Sequence, residues 1–79
     1  MNIYDPRSFV ERIKELITNR TNGNNKMYKV EHLNMCVAAK VPDTFLYDIE
    51  TYEQRPRIEI LERLATHFEV TITFLLFGN

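Results

Sequence analysis

A chain of 79 residues with 44% hydrophobic and 27% charged side chains has the composition of one folded domain, not of a disordered segment. Its formal net charge of −1 gives no overall pull toward a polyanion, and the single Cys36 excludes an intramolecular disulfide. No apolar run approaches ~20 residues, and "MNIYDPRSF" lacks the basic-then-apolar form of a signal peptide, so a cytoplasmic location is expected. The charge is uneven along the chain. Residues 1–42 hold seven basic and four acidic side chains, a balance of +3, and residues 43–79 hold three basic and seven acidic, a balance of −4. An anionic partner would therefore meet the first half more readily than the second.

In chain order, "DPRSFVERIKELITNR" carries two overlapping helix starts. Either Asp5 caps with Pro6 at the first helical position, or Ser8 caps with Glu11 closing a capping box. Phe9, Val10, Ile13, Leu16 and Ile17 form one apolar stripe, and "TNGNNK" ends the helix with turn-forming residues. The pattern leaves residues 21–29 as a loop. "VEHLNMCVAAK" predicts a second, short helix with Val30, Met35, Cys36 and Ala39 facing inward and Leu33 and Val37 as an additional apolar pair. "VPDTFLYDIETY" predicts a third, started by Pro42 and Asp43, with Leu46 and Ile49 inward. "RPRIEILERLATHF" predicts a fourth, with Pro56 at its start and Ile58, Leu61, Leu64, Ala65 and Phe68 along one face. "TITFLLFG" predicts a fifth, capped by Thr71 and ended by Gly78. Strand alternation and hairpin signals are missing.

The run "IETYEQRPRIEILERLATHFEVTITFLLFGN" resembles the end of a Cro/cI-type (XRE-family) helix-turn-helix domain: Ile-Glu, a loop, Pro, an amphipathic helix containing Leu64-Ala65, and a closing Leu75-Leu76-Phe77-Gly78. Upstream, residues 30–50 align with the helix-turn-helix itself, with Met35-Cys36 in place of Leu-Ala and Lys40-Val41-Pro42 in place of Gly-Val-Ser. The resemblance implies an all-α, compact five-helix lambda-repressor-like fold in one domain over residues 1–79, with the helix-turn-helix at about 30–52 and residues 21–29 as an inserted loop. It implies a transcriptional regulator binding double-stranded DNA as a homodimer on a two-fold operator. Base-reading positions then fall on Asp43, Thr44, Phe45, Tyr47 and Asp48, and phosphate contacts on His32, Asn34 and the loop from Tyr52 to Arg55. Ile17 stands where the family often has an Arg paired with Glu50, which leaves Arg20 and Arg57 as candidate cations for that carboxylate.

Each position has a structural reading as well. Asp43 can be the cap of the third helix, Asp48 a solvated carboxylate, and Phe45 and Tyr47 packing residues. Lys26, Lys29, His32, Arg55 and Arg57 are the phosphate-binding candidates, and Tyr28 adds an aromatic nearby. Lys40 replaces the turn glycine, so a left-handed backbone there costs ~1 kcal/mol or more. Ile72, Phe74, Leu75, Leu76 and Phe77 exceed what one short helix buries and form the expected dimer surface. His32 and Cys36 lie four apart, yet two ligands make no metal site. No metal, cofactor or catalytic group is expected. The competing expectation is a helix-turn-helix module that has lost DNA reading and binds a protein through its acidic third helix, with Leu33, Val37, Phe45 and Tyr47 as the contact surface.

Overall fold

The computed structural model describes residues 3–79 as five helices, with no strand among them. The first, α1, spans Pro6–Thr21. Of its two possible starts the Asp5–Pro6 pair is used: Asp5 has extended backbone, and its carboxylate accepts from the Ser8 N–H at 3.2 Å and the Ser8 hydroxyl at 2.6 Å. The hydroxyl bond, first among its causes, holds the Asp5 carboxyl below the usual carboxylate range. Ser8 thus supports the cap and is not itself the cap.

The expected loop over residues 21–29 contracts to Asn22–Asn24. Asn22 and Gly23 both take positive φ, and the Gly23 N–H bonds back to the Thr18 carbonyl at 3.2 Å. Asn24 then caps α2 (Asn25–Ala39) at once, its side chain accepting from the Met27 N–H at 2.9 Å. The stretch "TNGNNK" stops one helix and starts the next within three residues, which period-matching from Val30 onward does not detect. The second helix is therefore long, and Val30, expected inward, is exposed on it.

Left-handed residues end most of the helices that follow. Lys40 (φ 58°, ψ 49°) closes α2, with its N–H on the Val37 carbonyl at 3.2 Å and the Val41 N–H on the Cys36 carbonyl at 3.0 Å. After a turn in which the Phe45 N–H bonds to the Pro42 carbonyl, α3 runs over Phe45–Thr51. Its N-cap is Thr44, without a side-chain cap bond, so Asp43 is not the cap. Glu53 and Glu69 take positive φ after α3 and after α4 (Ile58–Phe68). Pro56, expected to open α4, lies two residues before it and is buried, while Ile58, expected inward, is exposed. Thr71 caps α5 (Ile72–Phe77), accepting from the Phe74 N–H at 3.0 Å, and Gly78 ends it in the left-handed region, as the sequence predicts.

α1 packs against α2, α3 and α5, α4 lies on α2, and α5 closes on α1 and α4. Their shared core is Phe9, Val10, Ile13 and Ile17 of α1 with Met35 and Ala39, Leu46 and Ile49, Leu61, Leu64 and Phe68, and Leu75. Phe45 belongs to that core too, edge-on to Phe9 with ring centroids 6.4 Å apart. Leu75 and Leu76 are also buried within the single chain, so a dimer surface on α5 retains only the half-buried Ile72, Phe74 and Phe77. Two charged devices fasten the corners. Arg12 of α1 donates from Nε to the Leu75 carbonyl at 3.0 Å and from Nη2 to the Leu76 carbonyl at 2.7 Å, satisfying the open end of α5. A Cβ at Gly78 would stand 3.2 Å from Arg12 Nη1, which adds a steric reason for glycine there. At the other corner Glu31 of α2 accepts from His67 at 2.7 Å and faces Arg20 at 3.6 Å. Arg20 also donates to the His67 carbonyl and lies over the Phe68 ring, so it is committed to α4 and not to Glu50.

Two stability changes follow from these contacts. Arg12→Ala leaves two helix-end carbonyls without a donor and should cost about 1–3 kcal/mol, read as a lowered urea midpoint beside the exposed Lys14→Ala; equal midpoints would contradict the clamp. Lys40→Gly relieves the left-handed strain and should raise stability by about 0.5–1 kcal/mol; a lowered midpoint would show that the lysine side chain contributes more than the strain costs.

Candidate nucleic-acid interface

α3 is seven residues long and is held by three buried side chains, Phe45, Leu46 and Ile49. The helical period turns its remaining side chains outward, where two open grooves run along its flanks. The first, of about 340 Å³, lies between α1, α2 and α3 and brings Lys14, Tyr28 and His32 opposite Asp43, Tyr47 and Glu50. The second, of about 580 Å³, lies between α3 and the segment leading into α4 and brings Lys40, Arg55 and Arg57 beside Asp48. The +3 and −4 halves of the chain thus meet on both sides of α3.

The carboxylates of α3 are partly compensated. Thr44 donates its hydroxyl to Asp48 Oδ2 at 3.0 Å, one helical turn away, and Asp48 is half-buried. Glu50 pairs with Arg7 at 3.8 Å, correcting the expected partners Arg20 and Arg57. With both side chains largely exposed, that pair contributes little to stability, but it does offset the charge. Asp43 is exposed. Among the described residues, Lys40, Arg55 and Arg57 form no ion pair, so the second groove presents three free cations against one carboxylate.

The other expected contacts divide. Tyr47 and Tyr52 are about two-thirds exposed, whereas Phe45 is buried and only edges the second groove. His32 reaches the first groove, whereas Asn34, two residues on and so nearly across the helix, lines neither. Lys26 and Lys29 are exposed on the first two turns of α2 and also line neither groove. His32 Nε2 lies 3.9 Å from Cys36 Sγ, and no group of three or more metal-ligating side chains occurs among the described residues. Burial first, and the nearby Asp43 charge second, push the Cys36 thiol up, which keeps it protonated and unreactive near neutral pH.

Three residues of this surface were not anticipated. Lys14 and Lys40 enter the grooves only because of how α1 and the left-handed turn are placed. Tyr4 acts from further off. It sits one residue before the Asp5 cap and packs on Phe9, four residues into the helix, with centroids 6.1 Å apart. That is a hydrophobic staple, a pattern visible in the sequence as Tyr4-Asp5 with Phe9. Its hydroxyl donates to the Gln54 carbonyl at 2.5 Å, and the Arg55 guanidinium lies 6.0 Å over its ring. Tyr4 therefore positions the loop that carries Arg55.

No protein-family model matches this chain, and neither a curated protein nor a solved structure matches it at a significant level. Among the described residues no helix is long and apolar enough to cross a membrane.

Burial pushes the Tyr4 phenol up to about 12, with the Arg55 charge opposing it. The folded state thus favours the phenol form. That contribution is whole below the unfolded value near 10 and is lost as pH rises through the folded value of about 12. Tyr4→Phe should remove this part of the alkaline loss, so the urea midpoints of the two proteins should converge as pH rises. A constant gap would place the Tyr4 hydroxyl in solvent.

Proposed function

We propose that the chain is a small sequence-specific DNA-binding regulator of Cro/cI type, working as a homodimer on a two-fold operator. The observation that carries this reading is the second groove, where Lys40, Arg55 and Arg57 stand unpaired along one side of α3. Phosphate contacts supply most of the non-specific affinity for duplex DNA and fix the register of a reading helix. The order of elements supports the reading as well: a helix, a five-residue turn over residues 40–44, and a short α3 whose outward side chains stand beside the cations. A lambda-repressor-like arrangement is the fold we propose for these five helices.

In this reading the side chains take separate roles. Thr44 at the cap of α3 and Tyr47 within it are the side chains best suited to base edges or thymine methyls, and Asp43 is suited to a cytosine amino group. Asp48, bonded to Thr44 and set among cations, anchors α3 electrostatically and does not read sequence. With no amide or guanidinium donor on α3, much of the selectivity would come from DNA shape. Two such helices ~34 Å apart would meet successive major-groove turns. The remaining apolar edge of α5, formed by Ile72, Phe74 and Phe77, is the proposed dimer contact.

The test is fluorescence anisotropy with labelled duplexes from a genomic-fragment library, titrated at several salt concentrations. Binding should weaken steeply with salt, and Arg55→Ala or Arg57→Ala should each lower the salt slope by about one. Lys40→Gly should weaken binding while it stabilises the fold, which separates lost contact from lost structure. Flat titrations at low salt would sink the proposal. They would leave the competing reading, a protein contact centred on Asp43, Tyr47 and Glu50 in the first groove.

A further inference from the structure

The α2 helix is apolar on two opposite sides. Its inner side buries Met35, Cys36 and Ala39, with Tyr28, Glu31 and His32 half-buried around them. On its outer side Val30, Leu33 and Val37 are 53%, 52% and 78% exposed. At ~100° per residue these three fall within about 60° of one another, and Met27, 55% exposed, flanks them. Single exposed apolar residues need no explanation, but an ordered stripe of them on one helix does. Val, Leu and Val at spacings of three and four form the seam by which one helix packs knobs into the holes of another.

Charge selects the occupant. The only carboxylate on α2 is Glu31, and it is held on the inner side by His67 and Arg20. The charged side chains bordering the stripe are Lys26 and Lys29, with Lys40 just past its end. Lys26 and Lys40 each lie seven residues from Leu33. An antiparallel two-fold pair centred on Leu33 would set Lys26 of one copy against Lys40 of the other, and a parallel pair would set each lysine against itself. Self-pairing therefore opposes like charges in either direction. A lipid surface is a poorer fit than a helix, because the stripe has no aromatic side chain to sit at a membrane interface.

We propose that the outward face of α2 docks an amphipathic helix of another protein, one whose apolar stripe ends in carboxylates that meet Lys26 and Lys29. This site is separate from the grooves of α3 and does not depend on DNA binding.

The test is an NMR titration of the isotopically labelled full chain with two synthetic amphipathic peptides. They share leucines at helical spacing and differ only in carrying a glutamate cluster or a lysine cluster at one end. The glutamate peptide should bind saturably, shift the amides of residues 26–37, and lose about tenfold or more in affinity with Val37→Glu. Since Val37 is 78% exposed, that variant should keep its circular dichroism spectrum. As a second variant, Lys26→Glu combined with Lys29→Glu should reverse the preference toward the lysine peptide. No saturation, equal affinity for both peptides, or indifference to Val37→Glu would overturn the proposal. So would tighter binding of anionic phosphatidylserine vesicles through the same amides, or self-association that Val37→Glu abolishes.

Discussion

The left-handed turn at Lys40 is the constraint on which the working surface depends. It ends α2 through two backbone hydrogen bonds, reverses the chain before Pro42, and fixes where α3 can start. A glycine would make the same turn with less strain, so the lysine is held at an energetic cost. What it supplies is a cation that lines the second groove together with Asp48, Arg55 and Arg57. Backbone geometry and surface charge are set by one residue. The other end of the groove depends on a second tether, Tyr4, which reaches from before α1 to the Gln54 carbonyl and the Arg55 side chain.

How acidic α3 is depends on what surrounds it. In the linear sequence Asp43, Asp48, Glu50 and Glu53 form an uninterrupted negative run. In the folded chain Asp48 is bonded by Thr44, Glu50 faces Arg7, and cations from α1, the turn and the loop line the flanks. Several charges converging from separate elements create a local potential that net charge does not report. The buried Phe45 sharpens this picture, because it removes the one large apolar side chain that would have joined α3 to Leu33 and Val37 in a single patch. The surface is two surfaces: a charged one around α3 and an apolar one on the outside of α2.

Much of the fold was legible in the sequence, and the misses share a cause. The five helices, the Thr71 cap and the Gly78 stop follow from period and capping chemistry alone. The stripe Phe9, Val10, Ile13 and Ile17 is the core of α1 as its spacing predicts. The differences fall where one stretch serves two helices or where neighbouring helices decide burial. "TNGNNK" contains a stop, and Asn24 within it is also a start signal. Period alone puts Val30 and Ile58 inward, yet both stand on sides of α2 and α4 that no neighbour covers. Leu75 and Leu76 exceed what one short helix buries by itself, but α1 and α4 cover them. Of the candidate site, Arg55, Arg57 and His32 were legible as basic residues near α3. Lys14, Lys40 and Tyr4 were not, since their roles come from which elements lie side by side.

In the proposed reading the cations of the second groove make α3 a DNA-contacting element despite its carboxylates. This is tested most directly by mapping amide shifts when the labelled protein is titrated with duplex DNA at low salt. Shifts should concentrate at Lys40, Thr44, Arg55 and Arg57 and collapse as salt is added. Shifts confined to the outer face of α2, or none anywhere, would contradict it.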